Sequence, residues 1–363
     1  MHVIFRTDAS LVMGQGHVMR CLTLAGALRA QGITSTFVCR EHQGNLCDFI
    51  EDNKFAVCRL PPGKTRVASE STLQHDAWLG ATWAEDAMQT SAAIVSNGMS
   101  PTWLIVDHYA LDARWENALR PLVTHIMAID DIADRHHTAD LLLDQNFYPD
   151  MGQRYAELLN VNCIQLLGPI YALLRNEFIE LRQHLRSRDG IVKRGMIFFG
   201  GNDTTHQTAK ALNAIALLNR PDIKFDVVIG TANPHKNALS DQCAKLANVR
   251  LYCQVSNMAQ LMHSADLALG AGGTATWERC ALGLPALVLS IADNQIAIAE
   301  GVDHLKAQRY LGAASAVSAR ALADAMSQAI EDPRMLEEMT NKALALVDTH
   351  GAQRVVTALK EFT

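Results

Sequence analysis

His17 is the residue of this 363-residue chain whose type and setting most invite chemistry. It stands in Gly14-Gln15-Gly16-His17-Val18-Met19-Arg20-Cys21, after the apolar run Val3-Ile4-Phe5. Beyond it Val18, Cys21, Leu22, Ala25 and Leu28 recur at helical spacing. The pattern predicts a buried strand, a glycine loop and a helix that starts near His17. Glycines let the backbone approach a ligand, and the free N–H groups of a helix start favour an anion. An imidazole at that place is a candidate general base.

A second glycine loop, Gly270-Ala271-Gly272-Gly273-Thr274-Ala275-Thr276-Trp277-Glu278, follows an apolar run at 266–270. Its N–H groups suit a pyrophosphate, and Glu278, one turn into the next helix, suits a ribose diol. A third glycine turn, Gly200-Gly201-Asn202-Asp203, follows the run at 195–199. Three other apolar runs end on polar residues: 103–106 on Asp107-His108-Tyr109, 126–129 on Asp130-Asp131, and 141–143 on Asp144-Gln145-Asn146. Polar groups at the carboxyl ends of parallel strands belong to the ligand side of a sheet. Aspartates there also cap helices and form turns, the role expected of Asp112, Asp134 and Asp144.

Several chemistries are disfavoured. Met19 breaks the Gly-x-Gly-x-x-Gly dinucleotide fingerprint, and Asp-x-Asp, His-Glu-x-x-His and Cys-x-x-Cys do not occur. No metal and no cofactor are expected, and the eight cysteines read as reduced, packed thiols. A net charge of −6 and a pI near 6.1 argue against nucleic acid as a partner. No apolar stretch reaches the length of a membrane span, which takes about 20 residues. The opening residues run straight into a predicted strand, without the charged region and long apolar core of a signal peptide, so a cytoplasmic protein is expected. Its expected partner is a small molecule, and a monomer is the expected state although the sequence carries no signal for it.

These groups must be carried by alternating strands and helices. Strands are predicted at 3–5, 34–39, 56–60, 103–107, 126–129, 141–143, 195–199, 225–230, 249–252, 266–270 and 283–289. Helices are predicted to start near 18 and 44 and to run over about 83–96, 205–218, 258–264, 319–331, 333–347 and 353–362, and the stretch 168–178 leads into a charged helix that fades at 186–190. Residues 63–80 are polar and weakly patterned, which predicts a loop near the ligand. The length suits two domains of roughly 150 to 180 residues each. The expected division is 1–170 as an N-terminal Rossmann-like domain carrying His17, 171–190 as a linker, and 191–345 as a C-terminal Rossmann-like domain that holds a nucleotide diphosphate, with 346–363 a helix packing back on the first domain. Twin α/β halves facing across a cleft, each with a glycine loop feeding a helix, is the glycosyltransferase-B arrangement. There, backbone N–H groups and a helix terminus take the leaving-group charge in place of a metal ion.

Arg6-x-Asp8-x-Ser10, Gly14-x-Gly16-His17-x-Met19-Arg20-Cys21-Leu22, Val106-Asp107-His108-Tyr109, Asp130-Asp131-x-Ala133-Asp134-Arg135, Asp144-Gln145-Asn146 and Gly270-Ala271-Gly272-Gly273-Thr274-x-Thr276-Trp277-Glu278-Arg279-Cys280 lie in order over nearly the whole chain. Together they resemble the UDP-sugar hydrolases of pseudaminic acid biosynthesis, a family related to the peptidoglycan transferase that uses UDP-N-acetylglucosamine. The resemblance implies UDP-2,4-diacetamido-2,4,6-trideoxy-β-L-altropyranose as substrate, water as acceptor, His17 as general base, and C–O cleavage with inversion. It implies that Glu278 holds the ribose and that Gly272, Gly273 and Thr274 face the diphosphate, with Asn294 reaching phosphates or sugar. Asp107, Tyr109 and Asn146 would orient water or the acetamido groups. Arg20 would clamp an anion or pair with a nearby Asp. Asp8, Gly14, Gly16, Gly200, Gly201 and Asn202 complete the expected substrate-binding set. Ala275 departs from the family pattern, where a small hydroxyl residue is expected. A transferase of the same architecture, with a lipid or protein acceptor, and a non-catalytic sugar-nucleotide sensor are the competing readings.

Overall fold

A computed structural model describes all residues except 64–72, 74, 232 and 363. Most of the stretch 63–80, expected as a loop, therefore lies outside the described residues. The chain divides into two compact units, one of Met1–Asn146, Asp150–Leu173 and His350–Thr363, the other of Phe147–Pro149 and Leu174–Thr349.

The first unit is built on seven parallel strands: β1 (His2–Thr7), β2 (Thr34–Arg40), β3 (Ala56–Leu60), β4 (Trp103–Asp107), β5 (His125–Ile129), β6 (Leu141–Asp144) and β7 (Ile164–Leu167). Their order is β3-β2-β1-β4-β5-β6-β7, so the winding reverses between β1 and β4. The central strands are unbroken apolar runs because helices cover both faces. Val3, Phe5, Trp103 and Ile105 pack on one side with the helix Gly16–Ala30 and Val355 and Leu359 of the last helix, Gly351–Glu361. Ile4, Leu104 and Val106 pack on the other with Trp115 and Leu119. The period of two along each strand sorts these residues between the two cores. Trp103 Nε1 donates to the Leu359 carbonyl at 3.2 Å, which ties the last helix to the first unit.

The second unit repeats the plan with β8 (Arg194–Phe198), β9 (Lys224–Ile229), β10 (Val249–Cys253), β11 (Leu267–Ala271), β12 (Ala286–Ser290) and β13 (Arg309–Ala313). The order is β10-β9-β8-β11-β12-β13, with the reversal between β8 and β11. Gly270 permits that central pairing, since a Cβ there would fall 2.5 Å from the Phe198 carbonyl oxygen. The residues expected as a linker contain the helix Asn176–Arg182, whose Phe178 is fully buried, and the division between units falls at Leu173/Leu174. Elements that the sequence pattern did not mark are the helices Ala113–Leu119, Lys236–Cys243 and Ile296–His304 and the strands β7 and β13. Among the described residues no helix is long and apolar enough to cross a membrane.

Candidate active site

Ligands of open parallel sheets bind beyond the strand ends where the winding reverses. In the first unit that place lies between β1 and β4, with Thr7 opposite Asp107 in the register. The loop from β1 turns back on itself at Ser10 and Gly14, whose N–H and carbonyl groups pair in both directions at 2.9 and 3.3 Å. Gly14, at φ 83°, makes this turn possible, and Gly16 opens the helix Gly16–Ala30 with open space where a Cβ would sit. No side chain caps the start of that helix.

His17 follows in the first turn, 6% exposed, with Nδ1 2.6 Å from Asp107 Oδ1. Arg20, one turn later, grips the same carboxylate with both arms, Nε to Oδ2 and Nη2 to Oδ1, each at 2.6 Å. Its third donor, Nη1, reaches Asp131 Oδ2 at 2.9 Å. Asp131 also accepts from the Tyr109 hydroxyl and from Asn146 Nδ2, the latter at 3.2 Å. Tyr109 stands edge-on to the His17 ring with 4.6 Å between centroids. His17, Arg20, Asp107, Tyr109 and Asn146 therefore meet in one network, and Arg20 takes the second of its two expected roles, pairing with aspartates. Asp131, which by sequence is only one of several strand-end carboxylates, completes the network.

The charges fix the chemistry of each group. Burial alone would raise Asp107, but the Arg20 and His17 charges and their hydrogen bonds hold it below the ordinary carboxylate range. An ionised Asp107 only accepts, so Nδ1 of His17 carries a hydrogen, and in the neutral ring the lone pair is then on Nε2. Burial and the nearby Asp131 push Tyr109 well up, so its phenol stays protonated and donates. Asp144 is pushed up to about 8, first by burial and then by Asp131. Its oxygens accept from the Asn146 N–H and the Tyr155 hydroxyl, a turn-forming arrangement. Asp112 caps the helix Ala113–Leu119, and Asp134 pairs with Arg135.

Asp8 lies outside this network. It is fully buried, 2.7 Å from Arg6 Nη1, and accepts from the Arg40 N–H at 2.7 Å. Asp86 bridges Arg6 and Arg40 at 2.6 and 2.7 Å and takes the Trp115 Nε1 hydrogen. Asp8 thus serves an ion network within the core.

In the second unit the reversal between β8 and β11 brings together two glycine turns. Gly200 has φ 93° with open space beside it, and Gly201 lies against Gly230, where a Cβ would meet the Gly201 Cα at 2.9 Å. Asn202 is partly buried, and Asp203 turns its carboxylate to the Gln207 and Thr208 N–H groups, capping the next helix. After β11, Gly272 and Gly273 lead through Thr274 into the helix Ala275–Ala281, which has no side-chain cap at its start. Gln295 lies beside both glycines, a neighbour that the sequence did not reveal. Asn294 is exposed on the turn Asp293–Gln295. Glu278 accepts from Arg175 Nε and Nη2 at 3.2 and 2.8 Å, and both bonds land on Oε1. Among the described residues no group of three or more His, Cys, Asp or Glu side chains is disposed to hold a metal ion.

The chain is similar to several known proteins. Residues 197–356 match the glycosyltransferase family 28 C-terminal domain. An uncharacterised protein of Methanocaldococcus jannaschii is 24% identical over 80% of this chain and 55% of its own length. The spore coat polysaccharide biosynthesis protein SpsG of Bacillus subtilis is 29% identical over 53% of this chain and 57% of its own length. The chain thus spans little more than half the length of these two relatives. The UDP-2,4-diacetamido-2,4,6-trideoxy-beta-L-altropyranose hydrolase of Campylobacter jejuni is 25% identical over 73% of this chain and 83% of its own. Among solved structures, MurG of Acinetobacter baumannii aligns over 99% of both chains with a TM-score of 0.66 at 14% identity. The spinosyn rhamnosyltransferase SpnG, complexed with thymidine diphosphate, aligns over 99% of this chain and 100% of its own with a TM-score of 0.65 at 17% identity. The chain carries the glycosyltransferase-B fold, and its sequence is similar to that of a UDP-sugar hydrolase.

Proposed function

We propose that this protein hydrolyses UDP-2,4-diacetamido-2,4,6-trideoxy-β-L-altropyranose to UDP and 2,4-diacetamido-2,4,6-trideoxy-L-altrose, a cytoplasmic step of pseudaminic acid biosynthesis. The observation that carries the reading is the His17–Asp107 hydrogen bond at 2.6 Å, which leaves Nε2 as the proton acceptor at the reversal point of the first sheet. A water beside Nε2 attacks the anomeric carbon, its proton passes to Nε2, and the bond from that carbon to the diphosphate oxygen breaks. A single displacement inverts the anomeric centre. General-base help of this kind contributes about 100- to 10,000-fold in rate.

Tyr109 and Asn146, fixed by Asp131, orient water or the acetamido groups. N–H groups of Gly200, Gly201, Asn202, Gly272, Gly273 and Thr274 take the diphosphate charge without a metal ion, Asn294 adds an amide, and Glu278 Oε2 accepts from the ribose. A backbone N–H serves where Ala275 lacks a hydroxyl. The test is UDP release from this substrate by the purified protein. Full activity after chelation and its near loss in His17→Ala, with UDP binding retained, are expected. A His17→Ala enzyme at the wild-type rate removes the base. The family 28 domain match favours a second reading, transfer of the sugar to a lipid or protein acceptor. Release of free sugar in the absence of any acceptor decides between the two.

A further inference from the structure

Next to Tyr109 the first unit holds two aromatic side chains that the reaction above does not use. The 3-10 turn Asp76–Leu79 is anchored by Leu79, which is fully buried in the core under β4 and β5. Gly80, at φ 65°, packs on Gly63, and both lie against the His42 ring, where a Cβ on either would collide. The turn is thereby fixed, and it presents Trp78 and His75, both only partly buried, on its other side. Their ring centroids are 4.3 Å apart. Tyr109 stands 5.4 Å from His75 and 5.8 Å from Trp78, and 4.6 Å from His17. Trp103, Trp115 and Trp277 are buried, as tryptophans that fill a core should be, whereas Trp78 keeps an open surface beside the proposed base.

We propose that Trp78 and His75, continued by Tyr109, form the wall that receives the sugar and selects 6-deoxy sugars with two acetamido groups over sugars that keep hydroxyls at C4 and C6. The proposal rests on the reading that His17 acts at the anomeric carbon. A pyranose whose anomeric carbon lies one water from His17 meets this wall with its substituents. The faces of aromatic rings are electron-rich and apolar, so they suit C–H and methyl groups. The proposed substrate offers three such methyls, one at C6 and two on the acetamido groups. A hydroxyl at C6 would lose its water against the same surface without gaining a partner. Burial, with the Arg135 and His17 charges, outweighs Asp134 and Asp131 and holds His75 below the ordinary histidine range. Its neutral ring has one donor and one acceptor, the complement of an acetamido group.

The test compares Trp78→Ala, Trp78→Phe and His75→Ala with wild type, using the altropyranose substrate, UDP-N-acetylglucosamine and UDP. Trp78→Ala is expected to raise KM for the altropyranose substrate about 10- to 100-fold while UDP affinity stays within about 2-fold, and Trp78→Phe to recover most of the loss. Saturation transfer from protein to the three sugar methyls should be strong with wild type and lost with Trp78→Ala. Unchanged KM and unchanged methyl signals in Trp78→Ala would overturn the wall. A His17→Ala enzyme that still hydrolyses, or a wild type that binds without hydrolysing, removes the base alone, because the methyl signals report binding without turnover. Equal affinity of wild type for both UDP-sugars overturns the selectivity.

Discussion

Asp107→Asn is the substitution that probes the proposed base most directly, since it keeps shape and removes only charge and one acceptor. The carboxylate takes His17 Nδ1 and Arg20 Nη2 on Oδ1, and Arg20 Nε on Oδ2, all at 2.6 Å. An amide has one oxygen for these three donors. With its oxygen toward His17, the NH2 group faces Arg20 Nε. With its NH2 toward His17, it opposes Arg20 Nη2, and the imidazole must turn Nδ1 into an acceptor and carry its hydrogen on Nε2. That second tautomer cannot take a proton from water. The expected outcome is a fall in kcat of about 100- to 10,000-fold, the range of a lost general base, with little change in UDP affinity. Arg20 keeps its 2.9 Å bond to Asp131, so the stability loss should lie at the lower end of the range for breaking a buried pair, about 3 kcal/mol. The assay is UDP release by Asp107→Asn, by His17→Ala and by the double variant, with a melting curve for each. If Asp107 acts through His17, adding Asp107→Asn to His17→Ala costs less than about 3-fold. A fully active Asp107→Asn enzyme, or one whose loss is additive with His17→Ala, refutes the tautomer argument.

Glu278→Ala should weaken UDP binding about 10-fold, the loss of roughly one hydrogen bond to a charged group, and change kcat less; equal affinity by calorimetry removes the ribose role. Gly270→Ala puts a Cβ 2.5 Å from the Phe198 carbonyl oxygen, so it should lower the melting temperature through a strain of about 1–3 kcal/mol, and an unchanged melting curve contradicts that close approach. His137 is pushed up to about 9 because Glu116, 2.6 Å away, and Asp130 together outweigh burial, which would lower it. Between the unfolded value near 6.5 and about 9 the folded chain holds the extra proton, so this contribution is complete below pH 6.5 and is lost as pH rises through 9. Denaturant midpoints measured from pH 6 to 9.5 should fall more steeply for wild type than for His137→Gln, and parallel curves exclude the linkage.

The strands and glycine turns that build both sheet centres were legible because their signals are local: an apolar run, a glycine, then a polar residue. Elements at the margins were not. All five residues of β13 are partly buried, so no apolar run or alternation marks it. β7 is an edge strand with Ile164 and Gln165 exposed, and the helix Lys236–Cys243 buries only Leu239 and Cys243. His75 and Trp78 fall in the stretch 63–80 expected as a loop near the ligand, and Gln295 follows a predicted strand, but nothing local singles out these side chains, because their places depend on how a turn is anchored from elsewhere in the chain.

Aspartates at strand ends show the limit most sharply. Asp8 ends its strand one residue past β1, and Asp107 is the last residue of the paired β4, so by position and chemistry they read alike. What separates them is which cation reaches each. Arg6 and the Arg40 N–H close over Asp8 inside the core, whereas Arg20 reaches Asp107 from the helix that also carries His17. Asp130 and Asp131 divide in the same way although they are adjacent. Asp130 turns to Arg135 at 2.9 Å and to the Ala133 N–H, and Asp131 turns to Arg20, Tyr109 and Asn146. Successive residues leaving a strand point to opposite sides, so Asp130 serves the fold and Asp131 the site. Choosing between them needs the arginine partner's position, and a helical offset of three residues from His17 to Arg20 is the one part of that information the sequence carried.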